Sequence, residues 1–226
     1  MTTYALVHGA SHAAWHWHLV EDEMRRRGHR TVAVDLPCDD PQAGAAEYAE
    51  VVLHALADEG DDVVLVAHSL GGLTIPLVAA HRPVERMVFV AGLLPQIGVS
   101  MNDQIAAADD DIVLPGVERA GDRDGFRPEA AIEVFFPDVE HQLACAAVRR
   151  LRRQRGLPFR ETSPLQKWPD VPVSYVLCAD DRVVNPKWAR TAVPERLGVE
   201  PVELPGSHSP FLARPVDLVD LVVGCR

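Results

Sequence analysis

Ser69 sits at the centre of Ala67-His68-Ser69-Leu70-Gly71, after the apolar run Val63-Val64-Leu65-Val66 and before a helix-compatible stretch that begins near Gly72. A strand that turns sharply into a helix lifts the residue at its crest out of the sheet. Residues two positions to either side must be small, because larger side chains would meet neighbouring backbone. This is the elbow of a nucleophilic serine, with alanine in place of the first glycine of G-x-S-x-G. A serine hydroxyl is a poor nucleophile until a base accepts its proton, and the base needs an acid to orient it.

Ten histidines compete to be that base. His208 stands out because Gly206-Ser207-His208-Ser209-Pro210 follows the last strand pattern and precedes the final helical one, on the same sheet edge as the elbow. His68 is expected to pack or to line a pocket, and His29, His54, His81 and His141 read as surface histidines. The acid should precede the base in chain order, at the end of a strand. Asp180 and Asp181 both stand there. Asp181 is expected to be the acid, because Asp181-Arg182-Val183-Val184-Asn185-Pro186 fits the hydrolase loop pattern D-[RK]-[VI]-x-x-P. Asp180 should bond the loop backbone or face solvent, and Asp35 should structure its own loop.

Acyl transfer also needs two donors aimed at the developing oxyanion. The backbone N–H of Leu70 is one. The small-residue bend His8-Gly9-Ala10-Ser11-His12 supplies the other, and Ala10 N–H is the expected donor. His8, His12, His16 and His18 crowd this loop, but no carboxylate or cysteine nearby completes a metal set, so no metal is expected. No cofactor is expected either.

These groups need a frame. Short β-branched or apolar runs at 4–8, 31–34, 63–67, 86–91 and 173–178, with a weaker one at 200–204, alternate with helical patterns at 15–27, 43–59, 70–81, 186–197 and 211–223. That alternation predicts an α/β fold with a mostly parallel sheet of about six strands. The strands are apolar throughout, so helices should cover both faces. Residues 94–168 are too long for a simple crossover. They hold polar connectors at 109–111 and 119–125 and helical patches at 128–136 and 141–153. The expected organisation is a core of 1–93 and 169–226 with a cap, 94–168, folded over the carboxyl ends of the strands, where open α/β sheets bind ligands. The run Arg149-Arg150, Arg152-Arg153, Arg155 reads as a solvated helix face. Gly9, His12, Trp15, Leu94, Phe135, Phe136 and Trp168 are the candidate pocket residues.

A chain of 226 residues, 47% hydrophobic and 24% charged, supports one substantial core. The formal net charge of −11 argues against a nucleic-acid partner, which needs a basic face, and disfavours polyanionic substrates unless a local basic pocket overrides it. Cys38, Cys145, Cys178 and Cys225 show no C-x-x-C spacing, so reduced thiols in a cytoplasmic protein are expected. The opening Met1-Thr2-Thr3-Tyr4 lacks a basic stretch, so no signal peptide is expected, and no apolar run is long enough to span a bilayer. No signal bears on oligomeric state.

Three motifs carry a resemblance that spans essentially the whole chain. His8-Gly9-Ala10-Ser11-His12-Ala13-Ala14-Trp15-His16-Trp17 resembles an H-G-x-x-H-G-x-W-x-W opening, Ala67 to Gly72 a G-H-S-x-G-G elbow, and Gly206-Ser207-His208 a G-x-H loop. Together they resemble the α/β-hydrolase superfamily, in the branch of small esterases that includes plant methylesterases and hydroxynitrile lyases. The resemblance implies the α/β-hydrolase fold, a Ser69–His208–Asp181 triad and a small-molecule ester substrate, largely apolar or aromatic. Acyl transfer, lactone hydrolysis and biosynthetic cyclisation use the same triad, and a non-catalytic binder keeps the same fold. Lyases of the branch carry threonine after the opening histidine and lysine after the catalytic one. Gly9 and Ser209 occupy those positions here and point to hydrolysis. A dehalogenase would carry aspartate at position 69.

Overall fold

The computed structural model describes residues 2–108, 111–122 and 125–224. Asp109 and Asp110 of the first polar connector, Arg123 and Asp124 of the second, and Cys225 lie outside the described residues. In chain order, β1 (Thr3–Val7) leads through a 3-10 turn to α1 (His18–Arg26), followed by β2 (Arg30–Val34), α2 (Ala45–Ala55) and β3 (Val63–His68). A second 3-10 turn (Ser69–Leu73) leads into α3 (Ile75–His81) and β4 (Arg86–Val90). The next segment carries α4 (Met101–Ala107), the short hairpin β5 (Gly121–Asp122) and β6 (Gly125–Phe126), α5 (Pro128–Phe135), α6 (His141–Val148) and α7 (Leu157–Arg160). The chain ends with β7 (Val173–Cys178), α8 (Pro186–Leu197), β8 (Val202–Leu204), α9 (Pro210–Ala213) and α10 (Pro215–Gly224).

Six strands form one parallel sheet in the order β2-β1-β3-β4-β7-β8. Successive strand residues point to opposite faces. Every residue of β1, β3 and β4 is buried, so both faces of the central sheet are covered, as the continuous apolar runs require. Helices pair α1 with α10 and α2 with α3. Val7 stands opposite Ala67 across the β1–β3 register. The loop after β1 and the elbow after β3 therefore leave the sheet side by side.

Helix ends differ from the sequence pattern where tertiary contacts set them. The helix expected from residue 70 starts at Ile75, because the elbow first turns tightly through Ser69–Leu73. The final helix is broken into α9 and α10 around Arg214 and Pro215. Proline lacks the N–H that would carry the helix through. The patch expected over 141–153 stops at Val148, and the arginine run continues as irregular chain. Its amides bond elsewhere, Arg152 N to the Ser11 carbonyl at 2.6 Å and Arg155 N to the Cys38 carbonyl at 2.6 Å. The run is thus not a helix face. Arg152 pairs with Asp39 at 2.8 Å, and the Arg150 guanidinium lies 4.0 Å over the Trp15 ring. No helix among the described residues is long and apolar enough to cross a membrane.

Candidate active site

Ser69 adopts φ +50°, a conformation uncommon outside glycine, in the sharp turn at the end of β3. Gly71 makes that turn possible. A Cβ there would lie 2.8 Å from the His8 carbonyl oxygen, too close for any side chain. The loop after β1 presses equally hard from the other side. A Cβ on Gly9 would stand 2.7 Å from both His68 Nδ1 and Ser69 Cβ. Threonine at position 9 therefore does not fit this backbone unless His68 or Ser69 shifts. Ser209, at the position after His208, is fully buried and its Oγ has no partner among the described residues.

His208 lies in the loop after β8, with its ring closed off from solvent. Its Nδ1 donates to Asp181 Oδ2 at 2.8 Å, and both side chains are buried. That bond fixes the proton on Nδ1 and leaves Nε2 as the acceptor. Asp181 is held in turn, because its Oδ1 accepts from Val183 N at 2.7 Å and Val184 N at 3.1 Å. Asp180 faces the other way and accepts from Gly206 N at 3.1 Å. The two adjacent carboxylates thus divide between the imidazole and the loop backbone.

The β1 loop is shaped by hydrogen bonds from histidines. His8 Nδ1 donates to the Gly9 carbonyl at 2.8 Å, while His8 Nε2 accepts from Leu36 N at 3.0 Å. His12 N donates to the same Gly9 carbonyl at 3.3 Å. Carbonyl and N–H of a trans peptide point in opposite directions. Anchoring the Gly9 oxygen at this end therefore fixes the direction of Ala10 N–H at the other. His12 Nδ1 donates to the Ala10 carbonyl at 2.7 Å, which stiffens the next peptide too.

Beneath the loop lies a chain of buried rings. His12 packs edge-on against His16 at 4.6 Å and His68 at 5.2 Å, and His68 lies 4.4 Å from His208 between ring centres. Burial disfavours the charged form of each. It pushes His8 and His16 down to about 4 and holds His12 and His68 well below the ordinary histidine range. They are neutral near pH 7. His54 is exposed, as expected of a surface histidine, whereas His29 is half-buried, with its ring 5.1 Å from Tyr4 and its Nδ1 closed off from solvent. His68 has a definite partner. Its Nε2 donates to the backbone carbonyl of His208 at 2.9 Å.

Of the candidate pocket residues, Gly9, His12, Phe135 and Phe136 gather near the elbow. The rings of Phe135 and Phe136 stand 5.8 Å and 5.7 Å from His12. Leu94 is fully buried and its carbonyl accepts from Arg196. Trp168 packs 6.3 Å from Phe89 of β4. Trp15 stacks on His18 at 4.3 Å and lies under Arg150. Two contributors escaped the sequence pattern. Phe211 packs on His68 at 4.9 Å, and Asp138, in the turn after α5, accepts from Ser207 N at 2.8 Å and from the Ser207 hydroxyl. His8 and His16 engage both ring nitrogens in hydrogen bonds.

Comparison with known proteins gives a consistent result. The model described as "Alpha/beta hydrolase family" matches residues 5–221. Methyl jasmonate esterase 1 of Vitis vinifera is 26% identical, with 95% of this chain and 93% of that protein covered. The pyrethroid hydrolase of Sphingobium wenxiniae is also 26% identical, covering 98% of this chain and 86% of the relative. Among solved structures, a pyrethroid hydrolase from Sphingobium faniae superposes with a TM-score of 0.85 at 23% identity, covering 99% of this chain and 96% of that one. Polyneuridine aldehyde esterase gives a TM-score of 0.80 at 20% identity, covering 100% and 99%.

Proposed function

The chain belongs to the alpha/beta hydrolase family, and on that premise we propose that it is a carboxylesterase that works through an acyl-enzyme on Ser69. The observation that carries this reading is the buried bond from His208 Nδ1 to Asp181 Oδ2 at 2.8 Å, on the sheet edge where Ser69 is held at φ +50°. A histidine held in that tautomer keeps Nε2 free to accept a proton.

The cycle follows from this arrangement. His208 Nε2 takes the proton as Ser69 Oγ attacks the ester carbonyl carbon, and Asp181 stabilises the imidazolium that forms. The amides of Ala10 and Leu70 hold the oxyanion, the first aimed by the anchored Gly9 peptide. The carbon–oxygen bond breaks and the alcohol leaves with the proton from His208. Water, deprotonated by the same imidazole, then attacks the acyl-enzyme and frees the acid and Ser69. No step calls for a metal or cofactor.

Residues 94–168 serve as the cap, and Phe135 and Phe136 bring its aromatic side to the β1 loop. The substrate is a small carboxylic ester. Hydrolysis as the outcome, rather than lyase chemistry, is supported by Gly9, where a Cβ would collide with His68 and Ser69. The named esterase and pyrethroid hydrolase relatives support the same class. A panel of short aryl esters tests the reading. Wild type should hydrolyse at least the shortest, and Ser69→Ala should not; a folded wild type inert to all of them contradicts it.

A further inference from the structure

The arginine run after α6 holds five guanidiniums in seven positions, in a chain whose formal net charge is −11. The structure sorts them. Arg152 is engaged by Asp39 and the Leu36 carbonyl, and Arg150 covers the Trp15 ring. Arg149, Arg153 and Arg155 instead line one cleft, and none of the three pairs with a carboxylate among the described residues. The remaining wall of that cleft is largely apolar, with Phe126, Phe135, Val148 and Leu151 facing the same space.

The cleft adjoins the β1 loop at Ser11, which lines it and directly follows Ala10. Ser11 adopts φ +63° and is clamped by the arginine segment itself. Its carbonyl accepts from Arg152 N at 2.6 Å, and its N–H donates to Gln154 Oε1 at 3.4 Å. Phe135 is shared between the cleft and the ring cluster around His12. The segment that brings these three cations to the cleft, with Arg155 Nε also donating to the Asp39 carbonyl at 3.3 Å, is therefore bolted to the loop that carries the Ala10 amide.

We propose that this cleft is the recognition subsite for a carboxylate on the substrate, so that the preferred esters carry an anionic group on the arm beyond the scissile bond. The inference rests on the esterase reading above and adds its substrate class. The apolar wall holds the arm and Arg149, Arg153 and Arg155 meet its charged end. A guanidinium pairs a carboxylate in planar, two-pronged geometry, and a low-dielectric wall beside it strengthens the attraction. The local positive wall also explains how an anion approaches a molecule whose overall charge repels it.

Matched esters test this on the whole chain. On the acyl side, para-nitrophenyl butyrate is compared with the mono-para-nitrophenyl ester of glutaric acid. On the alcohol side, para-carbamoylphenyl acetate is compared with para-carboxyphenyl acetate. In at least one pair kcat/KM should favour the carboxylate by about tenfold, through KM, and the preference should shrink as sodium chloride rises to about 0.5 M. Arg149→Gln with Arg153→Gln should remove most of that preference and leave the neutral esters unchanged, while Arg149→Lys with Arg153→Lys should retain it. Equal or reversed preference in both pairs, or a preference that survives the glutamine substitutions, overturns the subsite. If none of the four esters is hydrolysed, the esterase reading has failed instead.

Discussion

His68 and His208, 140 positions apart in the chain, are joined by a hydrogen bond from His68 Nε2 to the His208 backbone carbonyl at 2.9 Å. The residue before the elbow serine thereby holds the loop that carries the proposed base. Their rings are 4.4 Å apart, and both residues are buried. His68→Phe keeps an aromatic ring but leaves that carbonyl without its donor. An unsatisfied buried acceptor costs about 1–3 kcal/mol, so the urea midpoint should fall accordingly, with kcat reduced more than KM. An unchanged midpoint and kcat would show that the bond has no such role.

Asp181→Asn should separate chemistry from folding. Asparagine can still accept from the amides of Val183 and Val184 through its oxygen, but its NH2 group then favours the wrong tautomer of His208. In a triad this exchange lowers kcat by about four orders of magnitude with geometry intact. Thermal unfolding should change little. Loss of kcat together with loss of the fold would assign Asp181 a structural role.

The buried histidines predict an acid-sensitive fold. Those of His8 and His16 are pushed down to about 4, below the ordinary 6.5 of the unfolded chain. Between these values the unfolded state binds protons that the folded state refuses, so their contribution is complete above about pH 6.5 and is lost as pH falls toward about 4. A shift of that size corresponds to about 3 kcal/mol for each group. His12 and His68 shift in the same direction. Urea unfolding at several pH values should show stability falling steeply through this window; a flat profile contradicts the neutral buried cluster.

Two glycines give opposite expectations. A methyl group on Gly9 meets His68 Nδ1 and Ser69 Cβ at 2.7 Å, whereas one on Gly60 meets nothing within 4 Å. Gly9→Ala should lower both activity and melting temperature, by about 1–3 kcal/mol in stability. Gly60→Ala should leave activity unchanged. Circular dichroism melts and ester hydrolysis on the same preparations decide it, and a fully active Gly9→Ala would contradict the close approach of the β1 loop to the elbow.

The parts of this site that the sequence makes legible are local. Largely apolar runs mark five of the six strands, β8 being the exception with Glu200 and Glu203 in its stretch, and the elbow around Ser69 declares itself within five residues. Asp181 could be preferred over Asp180 from the pattern Asp181–Pro186, and the two carboxylates do face different partners. What stayed hidden depends on distant chain. His68 looks like a packing residue until its partner, the His208 carbonyl, is seen. Asp138 holds Ser207 from 69 positions away, with no motif around it. The arginine run reads as a helix continuing α6, yet it leaves the helix because Ser11 and Cys38 offer carbonyls to its amides. Trp15 reads as a pocket residue from its motif, and the structure sets it against His18 and Arg150.

The central claim is that Ser69 is a nucleophile activated by His208 and Asp181. A fluorophosphonate probe followed by intact mass and peptide mapping tests it most directly. Wild type should gain one adduct, on the peptide containing Ser69. Asp181→Asn should label far more slowly, and Ser69→Ala should not label at all. A folded wild type that remains unmodified, or a Ser69→Ala protein labelled as fast as wild type, would contradict the account.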